Sequence, residues 1–392
     1  MKLARFLFVP LLAGVLAAAV TAQTFLITDF EGYPAPSTNG TVMFRHPSFS
    51  GSTGSFIDTA VNTSQVVTDR AYSGTKSLRV NWKFLAGKPE AWLRLTTYQT
   101  ANLPNPAIAY AHALRFKLYV ASGTPDFYIT LGTRDNNNTA PIGGDGTRFG
   151  SIEWVGATDG TPITGGYVRP IGKLITAKDQ WIEVVFNLPI EPCLPFASAT
   201  NWPPANGVLD GPQGTIECLA FTPVEAGAVG PYLIYLDDFE QVAVWSVSGN
   251  VELRDFGGDI TQVPVTVELR QDGNVVRTAT VSLDSGGNYS IPAVLPGTYD
   301  LAFKASHWLR VVVTGVVVDE ADVTDVNVSL TNGDIDGDNE VTLFDFGALV
   351  AAFGSMPGDD NWNADADLDG DQEVTLFDFG VLVRNFGAMG DE

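Results

Sequence analysis

Apolar and polar side chains alternate along most of the chain with a period of two, the pattern of half-buried β-strands whose successive side chains point to opposite faces. Leu114, Phe116 and Leu118 interleave with Arg115, Lys117 and Tyr119, and Phe127, Ile129 and Leu131 face away from Tyr128 and Arg134. Leu93 and Leu95 alternate in the same way with Trp92, Arg94, Thr96 and Tyr98. Turns rich in Gly, Asn and Pro separate these runs from residue 24 to residue 244, and no sustained helical period interrupts them, which predicts a β-sandwich. Residues 246–332 repeat the alternation on a smaller scale, with Val265, Val267 and Leu269 between Thr266, Glu268 and Arg270, ahead of the hairpin turn Gln271-Asp272-Gly273-Asn274. The rhythm then changes: in residues 333–392, Phe346, Leu349, Val350 and Phe353 recur at helical intervals behind a loop crowded with aspartates.

Composition supports this reading and narrows the partners. At about 150 residues per domain, 392 residues predict two or three domains. Forty glycines, 23 prolines and only 17% charged residues favour strands and turns over solvated helices. A formal charge of -23 sets aside nucleic acid and anionic lipid, both of which repel such a chain. At the N-terminus, Lys2 and Arg5 precede an apolar run from Phe6 to Val20, and Val20-Thr21-Ala22 supplies small residues for cleavage. Residues 1–22 therefore read as a signal peptide, and the mature protein is expected outside the cell or at its surface. The run is too short for a good membrane span, and no later stretch reaches about 18 apolar residues. The only cysteines, Cys193 and Cys218, either close a loop as a disulfide or remain two buried thiols.

The strongest signal is a repeat. Residues 334–354 and 367–387 match at 16 of 21 positions. Asp334, Asp336 and Asp338 occupy loop positions 1, 3 and 5, with Glu340 at 7, Thr342 at 9 and Asp345 at 12; Asp367, Asp369, Asp371, Glu373, Thr375 and Asp378 repeat the series. This is the spacing of an EF-hand calcium loop, in which the position-7 residue offers its carbonyl. Carboxylates about 4 Å apart at an effective dielectric of about 20 repel by about 4 kcal/mol, so such a loop needs a cation, and calcium accepts its hard oxygens at flexible geometry. Residues 334–392 hold 15 acidic residues and one basic one, Arg384, so the acid is local.

Two such half-loops, each followed by one helix, resemble a type I dockerin. The resemblance implies attachment to a cohesin-type or cell-surface protein and calcium as cofactor. Two departures stand out. Asn339 and Gln372 occupy position 6, where glycine is usual, which weakens the expectation for the second loop in particular. Leu343-Phe344 and Leu376-Phe377 fill positions 10 and 11, usually small hydroxyl or charged recognition residues. They form either an exposed patch for a protein partner or a contact buttressed by the preceding domain. In that domain, Gly287-Asn288-Tyr289-Ser290-Ile291 and Leu295-Pro296-Gly297-Thr298-Tyr299-Asp300-Leu301 resemble carboxypeptidase-regulatory-like, Ig- or transthyretin-like sandwiches, which space other modules. Across residues 24–244, the opening Asp29-Phe30-Glu31, the runs at 77–80, 114–120 and 181–188 and the closing Tyr235-Leu236-Asp237-Asp238-Phe239-Glu240 resemble jelly-roll carbohydrate-binding modules of the galactose-binding-like class. That resemblance implies a structural calcium at Glu31 and Asp238, with Asp29 a further candidate.

The fold class is thus mainly β: a jelly roll, a small sandwich and a paired loop–helix tail. A pyranose needs an aromatic plate and fixed hydrogen-bonding partners, and Trp92, Arg94, Tyr98, Tyr128 and Arg134 offer both, on polar faces expected to line one concave sheet. Trp154, Tyr167 and Trp202 are loop alternatives. Nucleophile-elbow, zincin, P-loop and dinucleotide motifs are absent, and three scattered histidines leave little for imidazole chemistry. The expectation is a secreted, non-catalytic polysaccharide-binding protein attached through a calcium-dependent tail. Alternatives are a glycoside hydrolase or polysaccharide lyase using carboxylates such as Glu90 or Glu153, and a structural or adhesive surface protein.

Overall fold

A computed structural model of the protein describes residues 24–37, 42–97, 105–134, 152–163, 167–196 and 205–392. The proposed leader, Tyr98 and Trp202 lie outside them. The chain is mainly β, with three hydrophobic cores in succession.

The first core lies between two antiparallel sheets. One sheet runs in the order 181–187, 112–120, 232–243, 77–84, 57–67, with 24–28 added against 232–243. The other runs 193–195, 152–155, 127–134, 213–223, 93–96. The alternating leucines and phenylalanines meet here: Phe116 stacks on Phe239 at 4.6 Å between ring centroids, and Trp82 on Tyr232 at 4.8 Å. Burying rings of this size contributes about 2 kcal/mol or more apiece, so the inward faces supply most of what holds the two sheets together.

Trp245–Leu253 continues directly into a second sandwich, one residue after the long strand Tyr232–Ala243 ends. Its sheets run 288–294, 245–253, 328–330, the last pair parallel, and 274–281, 265–271, 297–305, 308–318. Val265, Val267 and Leu269 point inward, as their alternation requires, beside Tyr289, Phe303 and Trp308.

The tail contributes two ten-residue helices, α1 (Leu343–Ala352) and α2 (Leu376–Asn385). Leu349, Ala352, Val381 and Leu382 bury their apolar stripe around Val341, Leu368 and Val374, and Leu309 of the second sandwich enters the same core. Backbone and side chains stitch these two units together. Gly257 N donates to the Asp369 carbonyl at 2.7 Å, Asn332 Nδ2 to the Leu368 carbonyl at 2.7 Å, and Arg384 pairs with Asp255. Phe256 lies over Gly370, whose φ of +77° suits glycine and where any side chain would collide with the ring.

Candidate functional site

Asp334, Asp336 and Asp338 bring one carboxylate oxygen each within 4.8 Å of one another, and Asp367, Asp369 and Asp371 do the same. These are the groups of three acids, among the described residues, that could hold a metal ion. Asp345 and Asp378, both fully buried, close the loops from the first turns of α1 and α2. Asp345 Oδ1 accepts from Ile335 N at 2.6 Å and Asp336 N at 3.1 Å, and its Oδ2 accepts from Thr342 N at 2.6 Å. Asp378 repeats this with Leu368 N, Asp369 N and Thr375 N. Thr342 and Thr375 complete capping boxes by accepting from Phe344 N and Phe377 N. The position-12 carboxylate therefore caps a helix and braces a loop with the same two oxygens. Burial first, and then the neighbouring carboxylates, push Asp336, Asp367 and Asp369 above the usual carboxylate range. A hard divalent cation fits this crowding of oxygens.

At position 6, Asn339 and Gln372 take φ of 72° and 71°, where a non-glycine side chain is strained. Asn339 uses its side chain there: Oδ1 accepts from Arg310 N at 2.7 Å and Nδ2 donates to the Asp391 carbonyl at 2.9 Å, tying loop, second sandwich and C-terminus together. Glu340 and Glu373, at position 7, donate their backbone N–H to Asp338 and Asp371 respectively.

Leu343, Phe344, Leu376 and Phe377 are 72% to 75% exposed. The buttress alternative is corrected: the second sandwich packs on the loops through Phe256, Leu309 and Arg310, and leaves both Leu-Phe pairs free. The repeat presents them twice, once at the start of each helix. Phe346 and Phe379 lie 6.0 Å apart between the helices.

The expected sugar face is organised differently from its reading in sequence. Alternation holds, since Leu93 and Leu95 enter the main core, but the other side of that strand is not open. Trp92 is wholly buried, edge-on to Trp154 at 5.7 Å, in a smaller core with Ile152, Phe196 and Cys218. Gly132 admits the Trp154 indole, because any side chain there would meet it and the Cys218 sulfur. Arg94 and Arg134 converge, at 2.7 Å and 3.0 Å, on Glu217, which also accepts from Asn105. Tyr128 remains half-buried beside Leu174. A second correction concerns the sheet: strand 112–120 belongs to the opposite layer from 93–96 and 127–134, so the polar faces do not line one surface. Glu153 is fully buried, with its two oxygens accepting from Asn206 N and Gly207 N, both at 2.9 Å.

The outer face of the first sheet gathers aromatic and charged side chains that a strand-by-strand reading misses. Trp181, the first residue of its strand, pairs in register with Tyr119, and Tyr72, 49% exposed, meets it edge-on at 5.8 Å. Arg70 covers Tyr119 at 3.7 Å, Lys117 lies 4.7 Å above Tyr72 and 2.7 Å from Glu183, and Arg115 pairs with Glu240. The signal in the sequence is the register of Trp181-Ile182-Glu183 against Lys117-Leu118-Tyr119, which needs the pairing to be known.

Around the first sandwich's terminal strands, Glu31 accepts from Thr75 N and Lys76 N, each at 2.6 Å, and Asp238 from Ser73 Oγ at 2.7 Å, so both carboxylates address the 72–76 turn. Asp29 accepts from Glu31 N. Cys193, half-buried, and Cys218, buried, are separate thiols and not the disulfide alternative. Burial, followed by Glu153 and Glu191, pushes Cys193 up to about 12; burial pushes Cys218 up to about 11. No helix among the described residues is long and apolar enough to cross a membrane.

No protein-family model and no curated protein matches the chain. Among solved structures, it is similar to a type II cohesin-X-dockerin complex from Acetivibrio cellulolyticus, with 24% identity over 37% of this chain and 97% of that chain, TM-score 0.31. It is similar also to the family 11 carbohydrate-binding module from Clostridium thermocellum in complex with a β-1,3-1,4-mixed-linked tetrasaccharide, with 11% identity over 56% of this chain and 95% of that chain, TM-score 0.30. A third likeness is to the Endo-D glycoside hydrolase domain from Streptococcus pneumoniae R6, with 14% identity over 62% of this chain and 33% of that chain, TM-score 0.25.

Proposed function

We propose that the protein is an exported, non-catalytic polysaccharide-binding protein attached to a partner protein through a calcium-ordered tail. The observation that carries the attachment is the pairing of two aspartate loops with two exposed Leu-Phe pairs on the helices that those loops launch. Calcium at Asp334, Asp336, Asp338, Asp345 and the Glu340 carbonyl, and at the matching set from Asp367 to Asp378, orders the loops; ordered loops fix the helices, and the helices present the apolar pairs to a dockerin-binding or cell-surface protein. The domain division is a jelly roll at 24–244, a spacer sandwich at 246–332 and the tail at 333–392. A structural calcium at Glu31 and Asp238 belongs to the same reading.

For the polysaccharide, the covered state of Trp92 and the Arg94–Glu217–Arg134 cluster moves the contact surface to the outer face around Tyr72 and Trp181. There a half-exposed ring pair stands among Lys117, Glu183 and Arg115, the mixture of apolar plate and polar partners that a sugar chain requires. The test is retention of the full chain on a panel of soluble and insoluble polysaccharides in calcium, with released reducing ends measured alongside. Retention without new ends, lost in Tyr72→Ala with Trp181→Ala, is the expected result. New reducing ends would overturn the non-catalytic reading, and no retention on any glycan would leave a structural or adhesive surface protein.

A further inference from the structure

The two loops share 16 of 21 residues and every carboxylate, but they do not share their surroundings. The first carboxylate of each loop shows that difference. Asp367 Oδ1 accepts from Gly370 N at 3.0 Å and Asp371 N at 3.1 Å, Oδ2 accepts from Gln372 N at 3.0 Å, and no cationic side chain among the described residues pairs with it. Asp334, likewise buried, has Lys304 of the second sandwich 2.8 Å from its Oδ2.

This lysine is held in place. It stands at the end of strand Gly297–Ala305, where the chain turns through Ser306 and His307 into strand Trp308–Val318. That turn aims three carbonyl oxygens at its ammonium: Ala305 at 3.2 Å, Ser306 at 2.6 Å and Trp308 at 2.6 Å. Three carbonyls and one carboxylate share its three donors, so the charge is delivered to a fixed point rather than to wherever a flexible side chain wanders. The same turn supplies the His307 carbonyl to Gly333 N and Asp334 N, both at 2.9 Å, which fixes the start of the loop against the strand that carries the lysine.

We propose that Lys304 is a resident cation of the first loop, partly neutralising its carboxylates so that this loop stays ordered without calcium and binds calcium more weakly than its ligand set alone would allow. The inference rests on the reading that both loops hold calcium. Affinity is the difference between the loaded and the empty loop, and a fixed ammonium acts on both ends of that difference. It relieves the repulsion among Asp334, Asp336 and Asp338 in the empty loop, and it repels the divalent ion in the loaded one. Both effects lower affinity. Among the described residues the second loop has no such charge, and it depends on calcium for its neutralisation. The tail is therefore half built before calcium arrives: the half joined to the sandwich stands ready, and α2 completes it on loading.

The experiment is a calorimetric calcium titration of the full chain beside its Lys304→Gln and Lys304→Arg variants, with melting in chelator recorded for each. Glutamine removes the charge and keeps donors for the carbonyls. It is expected to tighten one binding step by roughly tenfold, leave the others unchanged and lower the tail's melting temperature in chelator. Arginine is expected to restore both. Asp338→Asn assigns the step, since it should abolish the one that tightened. If glutamine were poorly folded, Lys304→Met, which keeps the packing of the stem, is expected to give the same tightening. A calcium affinity unchanged or weakened in folded Lys304→Gln and Lys304→Met overturns the assignment while the loop reading stands. Absence of any calcium binding in the parent chain overturns the loop reading, and the role of Lys304 with it.

Discussion

The aspartate loops of the tail and the strand at 93–96 both look like binding sites in the sequence, and the fold treats them in opposite ways. In the tail, residues spaced at positions 1, 3, 5 and 12 meet in space because one turn of loop and the first turn of a helix bring them together. In the strand, Trp92 and Arg94 share a face as expected, yet that face is roofed by Trp154 and Phe196, and its charge is closed by Glu217 from another strand. A site made within a dozen residues is decided locally, whereas a site on a sheet face is decided by what packs over the sheet.

That contrast can be tested from both sides. The largest effect is expected from Asp345→Ala, which strips three backbone N–H groups of their acceptor. At about 1 to 3 kcal/mol per orphaned donor, the loss should be about 5 kcal/mol and should unfold the tail selectively, as read by loss of its melting transition in calcium. Trp92→Ala is expected to cost the large sandwich about 4 kcal/mol in chemical denaturation, the loss of a buried indole; an exposed sugar plate would lose almost nothing. Cys218 lies in the same covered layer as Trp92, and Cys193 on the strand beside Trp154. With pKa values pushed up to about 11 and about 12, both thiols stay protonated at neutral pH. Labelling at pH 8 should be more than about a hundredfold slower than for an ordinary thiol, and should rise only as pH climbs toward 11 or the sandwich is unfolded. Fast labelling of Cys218 at pH 8 would show that the layer opens. The smallest change in stability, below about 0.5 kcal/mol, is expected for Leu343→Ser with Phe344→Ser, since neither side chain is packed. Capture of the protein proposed to dock on the tail is the property those two changes should remove, most completely when Leu376 and Phe377 are changed as well.

How much is legible in the sequence follows the same division. The mainly β fold, the strands at 77–84, 112–120 and 181–187 and the inward faces are readable because a period of two states which side chains share a face. The first helix is readable from Phe346, Leu349 and Phe353 and the second from the repeat, whereas Thr342, Asp345, Thr375 and Asp378 read as calcium-loop positions and their capping role appears only in the structure. Layer membership is not. Alternation alone groups strand 112–120 with 127–134, and only long-range pairing with 232–243 places it in the other sheet. The position-6 residues give a partial signal: Asn339 is recognisable as tolerant of a positive φ, but its bridge to Arg310 and Asp391 depends on the sandwich lying against the loop. Lys304 carries no sequence signal, because it stands 30 residues from the aspartate it pairs with.

A divalent cation is proposed to order the tail, whereas the strands of the sandwiches away from Glu31 and Asp238 fold by apolar burial. Amide hydrogen exchange of the full chain, followed peptide by peptide in calcium and in chelator, tests it most directly. Residues 355–392, around the second loop and α2, are expected to lose protection in chelator, residues 334–354 to lose less, and the strands at 127–134 and 213–223 to exchange identically in both conditions. Equal protection of residues 355–392 with and without calcium would contradict it.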